Sequence, residues 1–230
     1  MTRRRWTAAL VLAAALGLVV VAGCGGSIQS QTESTSPSGE LGLAAPGHTR
    51  TEPGAAAQAD VAALAAGNNA FGLGLFRALR AGGGEGENLV CSPYSLSAVL
   101  AMTFAGASGA TEVEMARVLH FDLSQERLHP AFNVLDWRLA ATGQLQMANA
   151  LWGMAGYPYN QLFLDLLGAH YGAGLGLVNF TKPEEARAII NDWIAEHTSG
   201  RIPEMIPPGD INPESYPWLM LTDAVHFKAG

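Results

Sequence analysis

Apolar residues begin to recur at helical spacing near Ala55, and Val61, Leu64, Asn68, Phe71, Leu75 and Leu79 share one broad face. Side chains three and four positions apart stack on a helix, so this stripe predicts an amphipathic helix, which Gly82-Gly83-Gly84 stops. Ser92-Pro93 then supplies an N-cap followed by proline at the first helical position, ahead of the apolar run 96–104. A helix apolar nearly all round is a buried one. Just before it, Asn88-Leu89-Val90-Cys91 reads as a short strand entering the helix. Thr111 and Glu114 have capping-box spacing and predict a third helix carrying Val113, Met115, Val118 and Leu119. A fourth, about 126–140, presents Leu128, Phe132, Leu135 and Leu139.

The period then changes. Residues 145–152 alternate as a strand does, 175–180 is a second short strand candidate, and 162–171 between them reads as a helix. Thr181 and Glu184 repeat the capping-box pattern before a stripe of Ala186, Ile189, Ile190, Trp193, Ile194 and His197, and Gly200 ends that helix. Residues 218–227 are a long, mostly apolar strand. Helices first and strands later indicate an α+β domain.

Ahead of that domain the pattern is of another kind. Arg3, Arg4 and Arg5 precede an apolar run, and Val21-Ala22-Gly23-Cys24 closes it, which reads as an export signal over residues 1–23. The run is short for a membrane span, and the small residues before Cys24 look like a lipobox whose cysteine is lipidated and becomes the new N-terminus. An ordinary signal peptide, an uncleaved anchor or a twin-arginine signal are the alternatives, though the usual residues flanking twin arginines are missing. Residues 24–57 are rich in Ser, Thr, Gln, Gly and Pro and too poor in large apolar groups to offset their ordering entropy, so they predict a flexible tether. The folded domain is expected over 58–230. A secreted, extracytoplasmic protein, anchored to the cell surface through Cys24, is the implied localisation.

Chemistry narrows the choice of function. The formal net charge is −7, and beyond residue 5 no run of Lys and Arg interleaves with aromatics, so no nucleic-acid partner is expected. Of two cysteines, removal of the signal and lipidation of Cys24 would leave Cys91 alone, expected as a small buried hydrophobe rather than a catalytic or disulfide-forming group. The sequence holds no G-x-S-x-G elbow, P-loop, H-E-x-x-H or C-x-x-C. A secreted enzyme would need a nucleophile and base that are not evident; no enzyme activity, cofactor or metal is expected. Trp193 suits a core aromatic, His197 a partner for its helix's C-terminal dipole, and His226 a structural place along its strand.

Two stretches resemble a known family. Asn88-Leu89-Val90-Cys91-Ser92-Pro93-Tyr94-Ser95-Leu96-Ser97, with Ala101-Met102 and Gly106-Ala107-Ser108-Gly109-Ala110-Thr111 downstream, is one. Ile190-Asn191-Asp192-Trp193-Ile194 with Thr198-Ser199-Gly200-Arg201-Ile202, followed by 219–230, is the other. In order and spacing they are similar to the N-terminal half of the serpins, from about Asn68 onward. The resemblance implies helices A to F with the first strands of the central sheet. It also implies that Ser92 and Ser95, equally explicable as helix caps, belong to the shutter beneath that sheet, together with Asp223.

Two departures bear on function. The position of Asp223 is usually asparagine in the family, and a buried carboxylate is costly, so it is expected to be hydrogen-bonded or protonated. The family would also continue past Gly230 with a tryptophan, further strands and the reactive-centre loop. Serpins trap a serine (or cysteine) protease when that loop is cleaved and inserts into the sheet as a new strand. The implied function is therefore protease inhibition in a longer parent, with the reactive centre absent from these residues. A non-inhibitory serpin-like surface lipoprotein is the alternative.

Overall fold

The computed structural model describes residues 42–43, 50–54, 56, 58–82, 88–172, 175–212, 214–215 and 217–227. Their elements run β1 (Gly42–Leu43), α1 (Gln58–Gly82), α2 (Pro93–Phe104), α3 (Gly109–Leu119), α4 (Gln125–Ala140), β2 (Leu145–Met154), α5 (Gln161–Tyr171), β3 (Leu175–Val178), α6 (Pro183–His197) and β4 (Leu219–Phe227). The strands form one sheet in the order β1-β3-β2-β4. β2 pairs in parallel with β3 and antiparallel with β4, the latter unbroken from Leu145↔Phe227 to Gly153↔Leu219.

Strand alternation decides which helix each side chain meets. Ala150, Trp152, Met154 and Met220 turn to one face and pack with Ile190 and Ile194 of α6. Leu151, Leu175, Leu219 and Leu221 turn to the other, against Val99 and Met102 of α2 and Leu164 and Leu167 of α5. Behind α2 a second core gathers Val61, Leu64 and Phe71 of α1 with Phe104, Phe121, Leu128 and Phe132. Phe121 meets both Phe104 and Phe132 edge to face, the favoured aromatic geometry. α2 is thus covered on both sides, as its all-round apolar sequence requires.

Several expectations change. Residues 88–92 carry no strand, since no neighbouring strand pairs with them among the described residues. α3 opens at Gly109 with Ser108 as N-cap, which places Thr111 and Glu114 inside the helix rather than at its start. α6 opens at Pro183 after Lys182. The Thr181 amide and hydroxyl instead bond Asn179 Oδ1, at 3.0 and 2.6 Å, in an Asx turn that takes Thr181 out of the capping position. β3 ends at Val178, two residues early, and β4 starts one residue late.

Parts of the stretch read as a tether are bonded to the domain. β1 pairs antiparallel with β3, the Thr51 amide donates to the Ala169 carbonyl at 3.0 Å, and the Arg50 guanidinium holds Asp136 at 2.6 Å and Asn133 Oδ1 at 2.7 Å. The hold on the chain therefore begins ahead of residue 58, because backbone pairing and one arginine do what large apolar side chains were expected to do. Residues 1–23, and Cys24 with them, lie outside the described residues.

Candidate functional site

The polar residues singled out in the sequence meet where α2 runs under β2 and β4. Ser92 takes the N-cap position of α2 with extended backbone (φ −115°, ψ 91°), and its hydroxyl makes no capping bond. Its carbonyl accepts from the Leu96 amide at 3.2 Å, which leaves Pro93, lacking an N–H, at the first helical position. Ser95, one turn on, is fully buried. Its hydroxyl meets Asp223 Oδ1 of β4 and, at 3.3 Å, Asn149 Oδ1 of β2. The Asn149 Nδ2 group donates to the Ser95 carbonyl at 3.3 Å. Asn149 and Asp223 are direct partners across the β2–β4 ladder. Ser95 and Asp223 are thus brought together and Ser92 stands apart from them.

Asn149 was not singled out from sequence. Its signal was a polar amide between two alanines in a mostly apolar alternating strand, on the face shared with Leu151. Burial pushes the Asp223 carboxyl above its ordinary range, while the Ser95 hydroxyl acts in the opposite direction. The cluster joins two strands to one helix through the side chains of Ser95, Asn149 and Asp223 and the Ser95 carbonyl, so it can transmit a shift of β4 to α2.

A second polar group flanks it. A cavity of about 130 Å³ is lined by Arg50, Tyr94, Asp136, Asn149 and Tyr171 among others. The Tyr94 hydroxyl is buried there without a hydrogen-bond partner among the described residues, and burial drives its pKa upward. The Tyr171 hydroxyl lies 2.7 Å from His129 Nδ1. On the far face, Trp152 donates to Thr222 Oγ1 at 2.9 Å and meets Trp193 edge to face at 5.5 Å. His197 is exposed, stacks on Trp193 at 3.9 Å and places Nδ1 2.8 Å from the Trp193 carbonyl, near the helix C-terminus as expected. His226 is half-buried on β4, and Cys91 is half-buried and free. Among the described residues, no group of three or more His, Cys, Asp and Glu could hold a metal ion, and no helix is long and apolar enough to cross a membrane.

Known proteins share this architecture. The mouse protein-Z dependent protease inhibitor superimposes with a TM-score of 0.66 at 23% identity, over 74% of this chain and 46% of that one. The structure described as cleaved Serpin 42Da gives 0.63 at 31% identity, over 74% and 44%. In sequence, leukocyte elastase inhibitor of Sus scrofa is 39% identical over 169 residues, 72% of this chain and 44% of that protein. A serpin-like protein of Methanosarcina mazei is 31% identical over 170 residues, 72% and 39%. The chain spans less than half the length of either. The family model described as Serpin (serine protease inhibitor) matches residues 66–230, most of the domain and all of the Ser95–Asn149–Asp223 cluster: the chain belongs to the serpin family.

Proposed function

We propose that the protein is a serine protease inhibitor of the loop-insertion type, in which the outer edge of β4 receives the inserted strand. The observation that carries this reading is the match of residues 66–230 to the family model described as Serpin (serine protease inhibitor), together with the make-up of β4. β4 is paired with β2 along its whole length. It contains no proline, and its one acidic side chain, Asp223, turns toward Ser95 of α2. Strand edges are ordinarily protected by charges, prolines or bulges, and a long regular edge without them is suited to accept another strand. The protein acts stoichiometrically in this reading, the target protease supplying the nucleophile.

The Ser95–Asn149–Asp223 cluster takes the part of the shutter, holding β2 and β4 to α2 until the sheet must open. A lipid anchor at Cys24 places the inhibitor at the outer face of a membrane.

A chimera tests the inhibitory reading. Residues 50–230 are followed by the part of the Sus scrofa elastase inhibitor that this chain does not span, and the product is incubated with leukocyte elastase. A denaturant-stable adduct of protease and chimera is expected, with none from residues 50–230 alone. A folded chimera that is cleaved without trapping the protease overturns inhibition in favour of a non-inhibitory scaffold.

A further inference from the structure

Asn133 on α4 is 3% exposed, and both ends of its amide are taken by two residues far from that helix in sequence. Its Oδ1 accepts from Arg50 Nε at 2.7 Å, and its Nδ2 donates to the Thr51 carbonyl at 3.0 Å. A guanidinium only donates and a backbone carbonyl only accepts, so these two partners fix which way the amide points. The rest of the notch is built for the same pair. Asp136 Oδ2 holds Arg50 Nη1 at 2.6 Å, the Trp137 ring lies 5.9 Å from the guanidinium carbon, and the Ala169 carbonyl of α5 accepts from the Thr51 amide at 3.0 Å. Together these groups match a planar fork with a peptide unit behind it, which arginine offers and lysine does not.

We infer that the notch between α4 and α5 is a binding site for an arginine and the peptide group that follows it, filled in cis by Arg50–Thr51, and that this clip is a detachable lid on the cavity beside Tyr94. Arg50 lines that cavity of about 130 Å³ together with Asn149 and the Tyr94 hydroxyl, which is buried with no hydrogen-bond partner among the described residues. Withdrawal of the guanidinium joins the cavity to solvent. Water then reaches the Tyr94 hydroxyl and the Asn149 amide, whose two bonds to Ser95 are long, at 3.3 Å each. The clip thus governs whether the tie between α2 and the sheet stays dry.

The hold on the clip is polar, which makes it the part of this region that opens first. Arg50 is half-buried and residues 51–54 are exposed, whereas Asn133 beneath them is buried. A segment held by hydrogen bonds and one ion pair opens at a lower cost than one anchored by buried apolar side chains. Arg50 and Thr51 also precede residues 66–230, so the clip belongs to the part of the chain ahead of the family match.

The clip stands whether or not the chain inhibits a protease, and its test is separate. Tetranitromethane nitrates accessible tyrosines, so it reads the lid in the full chain at Tyr94, with exposed Tyr157 as the internal standard. Arg50→Ala should nitrate at Tyr94 on the order of tenfold faster than the unsubstituted chain, since a hydrogen bond to a charged group carries at least that factor. Arg50→Lys should behave like Arg50→Ala, because lysine keeps the charge but cannot reach Asn133 and Asp136 together. Tyr157 should react equally in all three. Hydrogen exchange of the unsubstituted chain decides even if a variant fails to fold. The Thr51 amide should exchange through an opening that leaves the centre of β2 protected, and added salt, which screens Arg50 from Asp136, should speed it. Full protection restored by lysine reduces the notch to an ordinary ion pair and overturns the arginine site. Tyr94 equally shielded in all three chains, or Thr51 exchanging only together with β2, overturns the lid.

Discussion

His129 is a basic side chain on α4 with only 1% of its surface exposed. Burial, with the nearby charge of His170 adding to it, lowers its pKa from 6.5 to about 4, so the folded chain holds a neutral imidazole. Protonation is thus easier in the unfolded chain. The stability at stake is complete above 6.5 and is lost as pH falls toward 4, on the order of 3 kcal/mol for a shift of this size. Replacing His129 by Gln, which keeps polarity without a charge change, should flatten stability against pH across this window by about one proton. Urea unfolding at closely spaced pH values measures it, and parallel curves for the two proteins would refute it. Of the residues involved in these polar clusters, Ser95 and Asp223 were legible in sequence because family resemblance marked them. Asn149 and His129 were not, because a single polar side chain has the same appearance in sequence whether it is buried and bonded or merely tolerated.

Among the elements, β2 and β3 are held together by a contact that only glycine allows. Gly176 lies opposite Trp152 in the parallel ladder, and a Cβ there would stand 2.6 Å from the indole ring. The ring cannot retreat: its Nε1 donates to Thr222 Oγ1 and its edge meets Trp193. Gly176→Ala should cost about 3 kcal/mol, at the upper end of overpacking. At Gly153 the added carbon would meet the Tyr159 hydroxyl at 2.4 Å, its ring carbon at 2.6 Å and Leu175 Cδ2 at 2.8 Å, but Tyr159 is only half-buried and can swing outward. Gly153→Ala should therefore cost less, and paired thermal melts that rank the two the other way would refute the argument. The type and approximate span of six helices and the strands β2, β3 and β4 were legible because period 3.6 and period 2 differ in the sequence itself. Their starts were less so. Asn179 diverted Thr181 from its capping role, and Ser108 took the cap of α3, since caps compete over distances of two or three residues that pattern alone does not rank.

For the whole molecule, local pattern gave an α+β class and nothing of strand order: that β2 sits between β3 and β4 depends on contacts distant in sequence. Resemblance supplied the fold family, and the strand order is seen only in the structure. It also leaves placement in the cell to residues outside the described ones, and here the argument is chemical. Three arginines, an apolar run and Val21-Ala22-Gly23-Cys24 have the order in which an exported chain is cut before a lipidated cysteine. One acyl chain binds a membrane only marginally, whereas two anchor it stably. The proposed anchor therefore predicts that the mature protein partitions wholly with membranes and that Cys24→Ala releases it or leaves its signal uncut. Metabolic labelling with a fatty-acid analogue measures acylation. The wild-type chain and Cys91→Ala should incorporate label equally, and Cys24→Ala should incorporate none, because Cys91 is half-buried in the domain and offers the only other thiol. Label retained in Cys24→Ala would remove the anchor from the proposal.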